Sequence, residues 1–206
     1  MKVGAVVLAA GSATRFGGGK LAAELDGRPI VRHVLDAARA AALDPIVIVI
    51  PPNDALAGVD LSPATPVVNP TPQEGLSSSV RLGLRALEAD ADRVPEAAVI
   101  LPADQPVIAP ATIRALVEAA AASPDMAFVV ARHAGDGAPN PVLARRSAWR
   151  LADELAGDRG FGPVLAAHPE LVREVPVAGD NPDVDTPDDL ERLRRPATTT
   201  GDAVVS

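Results

Sequence analysis

Short apolar runs alternate along the chain with longer segments in which apolar residues recur every three or four positions. Residues 3–8, VGAVVL, contain no polar side chain, which is typical of a strand buried on both faces of a parallel sheet. In residues 28–43 the apolar positions follow the period of a helix instead. The same reasoning predicts strands at residues 46–50, 65–68, 97–101, 126–131, 141–144 and 171–175, and helices at residues 77–89, 110–122, 147–156, 162–168 and 187–194.

Strands that alternate with helices predict an α/β fold of three layers, with a doubly wound, mostly parallel sheet of the Rossmann-like kind. The length of 206 residues suits one domain, which we assign to residues 1–195. The small polar segment Pro196–Ser206 is expected to be a disordered tail. Ser77 or Ser78 is expected to cap one helix, and Thr186 the last one.

Composition and charge exclude several classes of function. The chain has no Cys, so it forms no disulfide or zinc–thiolate site. Aromatic residues make up 2% and the net charge is −8, which argues against a nucleic-acid partner. No apolar run approaches the roughly 20 residues that span a bilayer, and residues 3–10 are too short an apolar run for a signal peptide. We therefore expect a cytoplasmic protein without a membrane partner.

The first predicted strand leads into a loop rich in glycine and positive charge, LAAGSATRFGGGK, at residues 8–20. The loop follows the carboxyl end of a parallel strand, where open α/β sheets bind ligands. Glycines allow backbone amides to turn toward an anion, and Arg15 and Lys20 add positive charge. This combination predicts a phosphate-rich ligand, although a flexible surface turn with solvated charges is the alternative.

Two common phosphate-binding motifs do not fit this loop. The P-loop pattern G-x-x-x-x-G-K-[ST] requires a first glycine and a final Ser or Thr, but Thr14 and Leu21 stand at those positions. The dinucleotide-binding pattern G-x-G-x-x-G fails because Ala22 occupies the last glycine position.

Aspartates follow a second strand and recur near the end of the chain. Asp104 comes shortly after the strand at residues 97–101, and Asp183 and Asp185 precede the last helix. Carboxylates at such a crevice can hold Mg²⁺ together with substrate phosphates. The alternatives are that Asp104 shapes the turn before Pro106 and that the other two cap the helix.

These stretches together resemble the molybdenum cofactor cytidylyltransferase family, a branch of the nucleotidyltransferase superfamily. The resemblance covers residues 3–193, and the segments S-S-S-V-R and G-D-x-G are more specific to this branch than the opening motif. Phe161-Gly162-Pro163 departs from the family, which often has alanine and arginine after G-D-x-G. The matched motifs are LAAG-x-x-x-R-x-G-x-x-K at residues 8–20, EGLSSSVR-x-GL at 74–84, DQP at 104–106, NPVL at 140–143, GD-x-G at 157–160 and DVDTP-x-DL at 183–190.

The resemblance implies a nucleotidyltransferase that moves CMP from CTP to a small phosphate-bearing acceptor, such as molybdopterin or the molybdenum cofactor, and releases pyrophosphate. It implies Mg²⁺ as cofactor, held by Asp104 and Asp185, and a molybdoenzyme or its chaperone as a protein partner. Arg15, Lys20 and Asp104 would be catalytic. The implied nucleotide-binding residues are Leu8, Ala9, Ala10, Gly11, Arg15, Lys20, Gly75, Ser77 and Ser78, and the implied acceptor-binding residues are Asn140, Asp158 and Gly160.

Other functions stay open on the sequence alone. In the resembling family LAAG accompanies cytidylyl transfer and LAGG guanylyl transfer, so Ala10 favours CTP over GTP. A sugar-phosphate acceptor, a nucleotide-binding regulator and an oxidoreductase on a heterocyclic compound are the remaining alternatives. The intact set of Arg15, Lys20, Asp104 and Asp185 favours catalysis over binding alone.

Overall fold

Nine strands and five α-helices make up the described part of the chain in the computed structural model, which covers residues 1–11, 14–53, 55–134 and 139–194. The predicted tail, Pro196–Ser206, lies outside these residues. The strands are β1 (Val3–Leu8), β2 (Glu24–Leu25), β3 (Arg28–Pro29), β4 (Ile46–Ile50), β5 (Thr65–Val68), β6 (Ala97–Pro102), β7 (Phe128–Arg132), β8 (Val142–Arg145) and β9 (Val172–Pro176). The helices are α1 (Ile30–Ala40), α2 (Leu76–Glu88), α3 (Pro110–Ala122), α4 (Gly162–Ala167) and α5 (Pro187–Arg194), with 3₁₀ turns at Lys20–Ala22, Pro72–Glu74, Arg146–Glu154 and Pro169–Leu171.

Seven of these strands form one sheet in the order β5-β4-β1-β6-β8-β7-β9, and β2 and β3 form a separate hairpin. β1 lies parallel to β4 and β6, whereas β8 runs antiparallel to both of its neighbours. The loops that follow β1, β4 and β6 therefore meet at one edge of the sheet. The predicted α/β class with a mostly parallel sheet is confirmed.

Alternate residues of β1 enter the two cores on opposite faces of the sheet. Ala5 and Val7 belong to the core that α1 and α3 cover, while Val6 and Leu8 belong to the core that α2 covers. α2 approaches the sheet so closely that a Cβ on Gly83 would lie 2.2 Å from Cγ1 of Val6. The sheet is thus the middle of three layers, as the continuous apolar strands predict.

The ends of two helices differ in how well they were predicted. The N-cap prediction at Ser77 or Ser78 is wrong, because α2 begins at Leu76 after Gly75. Thr186 does cap α5: its Oγ1 accepts a hydrogen bond from the Asp189 amide at 3.2 Å. In the described ranges, no helix has the length and apolar character needed to cross a membrane.

Candidate active site

A cleft of about 560 Å³ opens at the carboxyl edge of the sheet, beside the ends of β1 and β4. Its volume lies within the range typical of small-molecule sites, roughly 300–1,000 Å³. Its walls come from the glycine-rich loop, the loop after β4 and the residues that lead into α2. The lining residues are Leu8, Ala9, Ala10, Gly11, Gly18, Gly19, Lys20, Leu21, Pro51, Pro52, Asn53, Ala55, Leu56, Pro72, Gln73, Gly75, Leu76, Ser79 and Asp158.

The three consecutive glycines of the glycine-rich loop make a sharp turn directly before Lys20. Gly17, Gly18 and Gly19 have φ angles of 86°, 98° and 63°, a region that residues with a Cβ rarely adopt. The Gly19 carbonyl then accepts a hydrogen bond from the Ala22 amide at 3.0 Å, in the 3₁₀ turn that contains Lys20. The glycines therefore allow the sharp reversal that turns the Lys20 side chain toward the end of β6.

Lys20 lies between the two aspartates that the sequence singled out as metal ligands. Its Nζ is 2.7 Å from Oδ2 of Asp104 and 3.4 Å from Oδ1 of Asp185. Arg15 Nη1 lies 3.1 Å from the other oxygen of Asp185. The Lys20 side chain is only 11% exposed, whereas Arg15 is 75% exposed. The structure thus brings together Arg15, Lys20, Asp104 and Asp185, the set of charged residues that favoured catalysis in the sequence analysis.

The chain around Asp185 is fixed by the start of α5. Asp189 Oδ2 accepts hydrogen bonds from the amides of Asp185 and Thr186, at 3.0 and 2.6 Å, and from Oγ1 of Thr186 at 2.7 Å. The hydrogen bonds from Thr186 are the main reason that the pKa of Asp189 is lowered. Because the Asp189 carboxylate holds this turn, the Asp185 carboxylate is left to face Lys20.

A network of amide and carboxyl groups adjoins this cluster, and the sequence did not predict it. Gln105 Nε2 donates to Oδ1 of Asp183 at 2.8 Å, and Asn181 Nδ2 donates to Oε1 of Gln105 at 2.8 Å. Burial of the Asp183 carboxyl group raises its pKa, the hydrogen bond from Gln105 opposes this, and the negative charges of Asp104 and Asp185 raise it further.

The donor set of this cluster suits a hard divalent cation. Asp104 and Asp185 are 28% and 35% exposed, so their carboxylate oxygens can be reached by an ion. Within the described ranges, no group of three or more His, Asp or Glu side chains forms a metal site. A cation bound by the two carboxylates would complete its coordination with water and phosphate oxygens, as Mg²⁺ commonly does.

The start of α2 is capped by the loop at residues 157–160. Asp158 Oδ1 accepts a hydrogen bond from the Leu76 amide at 3.1 Å, and the Gly157 carbonyl accepts one from the Ser77 amide at 3.0 Å. Gly75 has a φ of 88°, and a Cβ there would lie 2.5 Å from the Gly157 carbonyl carbon. The two motifs that were most specific in the sequence are therefore in direct contact.

The three acceptor candidates lie together beside the main cleft. Asn140, Asp158 and Gly160 line a smaller, mainly apolar cavity of about 170 Å³. Asp158 also lines the main cleft, so it stands between the two cavities. Phe161, where the chain departs from the family pattern, packs against Phe128 with 5.4 Å between ring centroids.

The serines of the S-S-S segment are placed differently from one another. Ser77 and Ser78 are buried and do not line the cleft. Ser78 Oγ donates to the Gly75 carbonyl at 2.8 Å and accepts from Asn69 Nδ2 at 2.8 Å. Ser79, which was not predicted, lines the cleft, and the helical spacing from Gly75 and Leu76 was the available signal.

Most of the other implied nucleotide-binding residues lie on the cleft wall. Arg15 and Asp104 do not line it, but they are linked to it through the ion pairs with Asp185 and Lys20. The residues that do line it are Leu8, Ala9, Ala10, Gly11, Lys20 and Gly75.

Comparison with known families decides the class of protein. Residues 5–172 match the model of the MobA-like NTP transferase domain. The chain belongs to this family. It is a nucleotidyltransferase, and the family predicted from the sequence is confirmed. No curated protein matches the chain.

Solved structures of nucleotidyltransferases and related proteins share the fold. Rv0371c from Mycobacterium tuberculosis H37Rv is 29% identical with a TM-score of 0.80, over 94% of this chain and 98% of that one. Its complex with manganese matches at 28% identity and a TM-score of 0.71, over the same shares. The nucleotidyl transferase Mth528 from Methanothermobacter is 24% identical, with a TM-score of 0.73 over 94% and 96% of the two chains. CMP:2-keto-3-deoxy-manno-octonic acid synthetase in complex with CTP is 16% identical, with a TM-score of 0.73 over 94% and 97%.

Proposed function

We propose that this nucleotidyltransferase transfers CMP from CTP to a phosphate-bearing acceptor such as the molybdenum cofactor, with Mg²⁺ as the metal ion. The observation that carries the proposal is the position of Lys20. Its ammonium group is held between Asp104 and Asp185 at the edge of a cleft walled by the glycine-rich loop. Such a site offers positive charge and backbone amides to a triphosphate and carboxylates to its cation.

In the proposed reaction a terminal phosphate oxygen of the acceptor attacks the α-phosphorus of CTP. The bond from this phosphorus to the bridging oxygen of the β-phosphate breaks, and pyrophosphate leaves with that oxygen. The attacking phosphate is anionic near neutral pH, so the reaction requires no general base. Positioning and neutralisation of negative charge then supply the catalysis.

The charged residues have separate tasks in this scheme. Lys20 and Arg15 neutralise the triphosphate, and the Gly11 amide lies beside it on the cleft wall. Asp104 and Asp185 would hold the divalent cation, which supplies further charge neutralisation when bound. The manganese complex of Rv0371c, which shares the fold of this chain, supports the use of a divalent cation here.

Selection of cytosine over guanine is assigned to Ala10. This residue is 4% exposed and lines the cleft directly after β1. Ala10 also packs into the core that α2 covers, and we propose that glycine in its place would leave more room at this part of the cleft for a purine base. A single group of this size shifts selectivity only modestly.

The acceptor is assigned to the smaller cavity, next to Asn140, Asp158 and Gly160. That cavity and the main cleft share Leu8, Leu76 and Asp158 as lining residues. An acceptor bound in the smaller cavity would therefore lie directly beside a nucleotide bound in the main cleft. The flat faces of a pterin ring can pack against the mainly apolar lining of the smaller cavity, whereas hydroxyl groups project from all around a sugar ring and would lose hydrogen bonds with water there.

Pyrophosphate release tests the proposal. The protein is mixed with Mg²⁺, CTP or GTP, and either molybdenum cofactor or glucose 1-phosphate, and pyrophosphate is measured by a coupled assay. We expect release with CTP and the cofactor. Release only with glucose 1-phosphate would replace the acceptor assignment, and release only with GTP would replace the base assignment.

The metal assignment has its own test. Asp104→Asn keeps the shape of the side chain but removes one negative charge, so we expect a large loss of turnover with the fold intact by circular dichroism. Activity equal to that of the wild type at limiting Mg²⁺ would exclude Asp104 as a metal ligand.

A further inference from the structure

Asp104 and Asp185 must keep a fixed spacing although they come from distant parts of the chain. In the structure Lys20 bridges their carboxylates. In the proposed reaction, however, the ammonium group of Lys20 also contacts the triphosphate, and a bound cation would take its place between the two carboxylates. Another contact has to connect the segment after β6 with the segment before α5.

One such contact is a backbone hydrogen bond from the Val184 amide to the Asp104 carbonyl, at 2.9 Å. Val184 is fully buried in a small apolar cluster with Leu25, Ile30 and Leu190. This bond fixes the main chain beside both carboxylates. A single backbone hydrogen bond sets the distance between the two segments but does not by itself set their relative orientation.

The side chain of Gln105 supplies the second connection. It is 6% exposed, and both of its polar atoms are used: Nε2 donates to Asp183, 78 residues away in sequence, and Oε1 accepts from Asn181. Gln105 directly follows Asp104, and Asp183 lies two residues before Asp185. The amide therefore joins the two segments at the positions next to the carboxylates.

We propose that Gln105 is a positioning residue, and that its hydrogen bonds to Asn181 and Asp183 form a latch that keeps Asp104 and Asp185 at the spacing a divalent cation requires. The proposal rests on the proposed function, since it assumes that these two carboxylates bind the metal. Partners of this kind, one contact removed from the ligands, commonly orient the ligands and tune metal affinity.

Asn181 supports this interpretation. Its Oδ1 is buried and accepts no hydrogen bond from the described residues. A buried acceptor without a donor is unfavourable for stability, so Asn181 is not the side chain that stability alone would select here. Its Nδ2, which orients the Gln105 amide, is the group that the latch uses.

Mn²⁺ binding tests the latch without turnover. The affinity of the nucleotide-free protein for Mn²⁺ is measured from the free-ion signal in electron paramagnetic resonance, for the wild type and for Gln105→Met. Methionine has a similar length and no hydrogen-bonding amide. We expect the Kd for Mn²⁺ to rise by about tenfold or more.

Asn69→Leu is the matched control. Asn69 is also a buried amide at this edge of the sheet, but its side chain donates to Ser78 and Ser79 rather than to the aspartate cluster. The substitution should lower the thermal midpoint of unfolding without changing Mn²⁺ affinity. If Gln105→Met and Asn69→Leu both weaken Mn²⁺ binding, the loss reflects a general destabilisation of this edge of the sheet, and the latch is overturned.

Asn181→Leu keeps the test decisive if Gln105→Met does not fold, because it removes only the outer hydrogen bond and the unpaired acceptor. We expect weaker Mn²⁺ binding with little change in the thermal midpoint. Unchanged Mn²⁺ affinity in the variants of Gln105 and Asn181 overturns the latch alone. A wild type that binds no Mn²⁺ overturns the metal site and the latch together, whereas Mn²⁺ binding without pyrophosphate release counts against the proposed reaction only.

Discussion

Replacement of Lys20 by methionine is expected to change metal affinity and nucleotide affinity in opposite directions. In the nucleotide-free protein the ammonium group occupies the space between the carboxylates of Asp104 and Asp185, at 2.7 and 3.4 Å. A divalent cation that binds these oxygens has to displace it. The same ammonium group is proposed to neutralise the triphosphate. Lys20→Met therefore removes a competitor of the metal and a ligand of the nucleotide.

The size of each effect follows from the geometry. Two opposite unit charges about 4 Å apart, such as the ammonium group and a carboxylate, attract each other by roughly 4 kcal/mol at an effective dielectric constant of about 20. Because both carboxylates are partly exposed, screening by solvent reduces this attraction. We therefore expect about a tenfold gain in Mn²⁺ affinity. A lost charge-assisted hydrogen bond to the triphosphate costs about 1.5–3 kcal/mol, which corresponds to roughly a 10- to 100-fold loss of CTP affinity.

Lys2→Met is the matched control, because it makes the same chemical change at an exposed residue before β1, at the opposite edge of the sheet. Mn²⁺ affinity is read from the free-ion signal in electron paramagnetic resonance, and CTP affinity by calorimetry, in both variants. Lys2→Met should match the wild type in both measurements. Weaker Mn²⁺ binding in Lys20→Met, or unchanged CTP affinity, would refute the reasoning.

Three further predictions concern stability and base choice. Gly75→Ala should lower the free energy of unfolding, measured with urea, by more than Gly27→Ala does. Both substitutions add roughly 1–3 kcal/mol of backbone strain, but the new Cβ also collides with a neighbour at Gly75, whereas it meets nothing within 4 Å at Gly27. The raised pKa of Asp183 means that the folded state binds this proton more tightly than the unfolded state, so the free energy of unfolding falls as pH rises from the ordinary pKa of the group through the raised one. Asp183→Asn should therefore raise the thermal midpoint of unfolding at neutral pH, and a gain that persists at acid pH would contradict this cause. Ala10→Gly should improve kcat/KM for GTP relative to CTP, and an unchanged ratio would remove this residue from the account of base choice.

The sequence predicted helices and strands best where the hydrophobic pattern ends at a residue, such as proline, that itself starts or stops an element. Ile46–Ile50 is bounded by Pro51, and Pro110–Ala122 begins at a proline, and both were predicted with the bounds that the structure has. The hairpin of β2 and β3 was missed although it has a local signal. Asp26 and Gly27 form its turn with positive φ angles of 51° and 73°, as expected for an Asp-Gly hairpin.

The candidate site was predictable only in part, because some of its contacts follow from the order of the strands and others depend on how distant loops pack. Lys20, Asp104 and Asp185 each follow or precede a predictable element, so their meeting at one edge of the sheet follows from topology. The hydrogen bonds of Gln105 with Asn181 and Asp183 leave no such trace. They depend on how two loops lie against each other, and no periodicity or spacing encodes that.

The capping of α2 changes what the two most specific motifs mean. Asp158 accepts a hydrogen bond from the Leu76 amide, and Gly75 leaves the space that the Gly157 carbonyl occupies, so in this chain each motif completes the local structure of the other. A carboxylate that caps a helix is held in place by that helix. Asp158, which lies between the main cleft and the smaller cavity, is therefore a fixed wall between them. An acceptor that bound by pulling Asp158 away would uncap α2, whereas one that binds its second oxygen would leave the cap intact, so the latter is the arrangement that the fold favours.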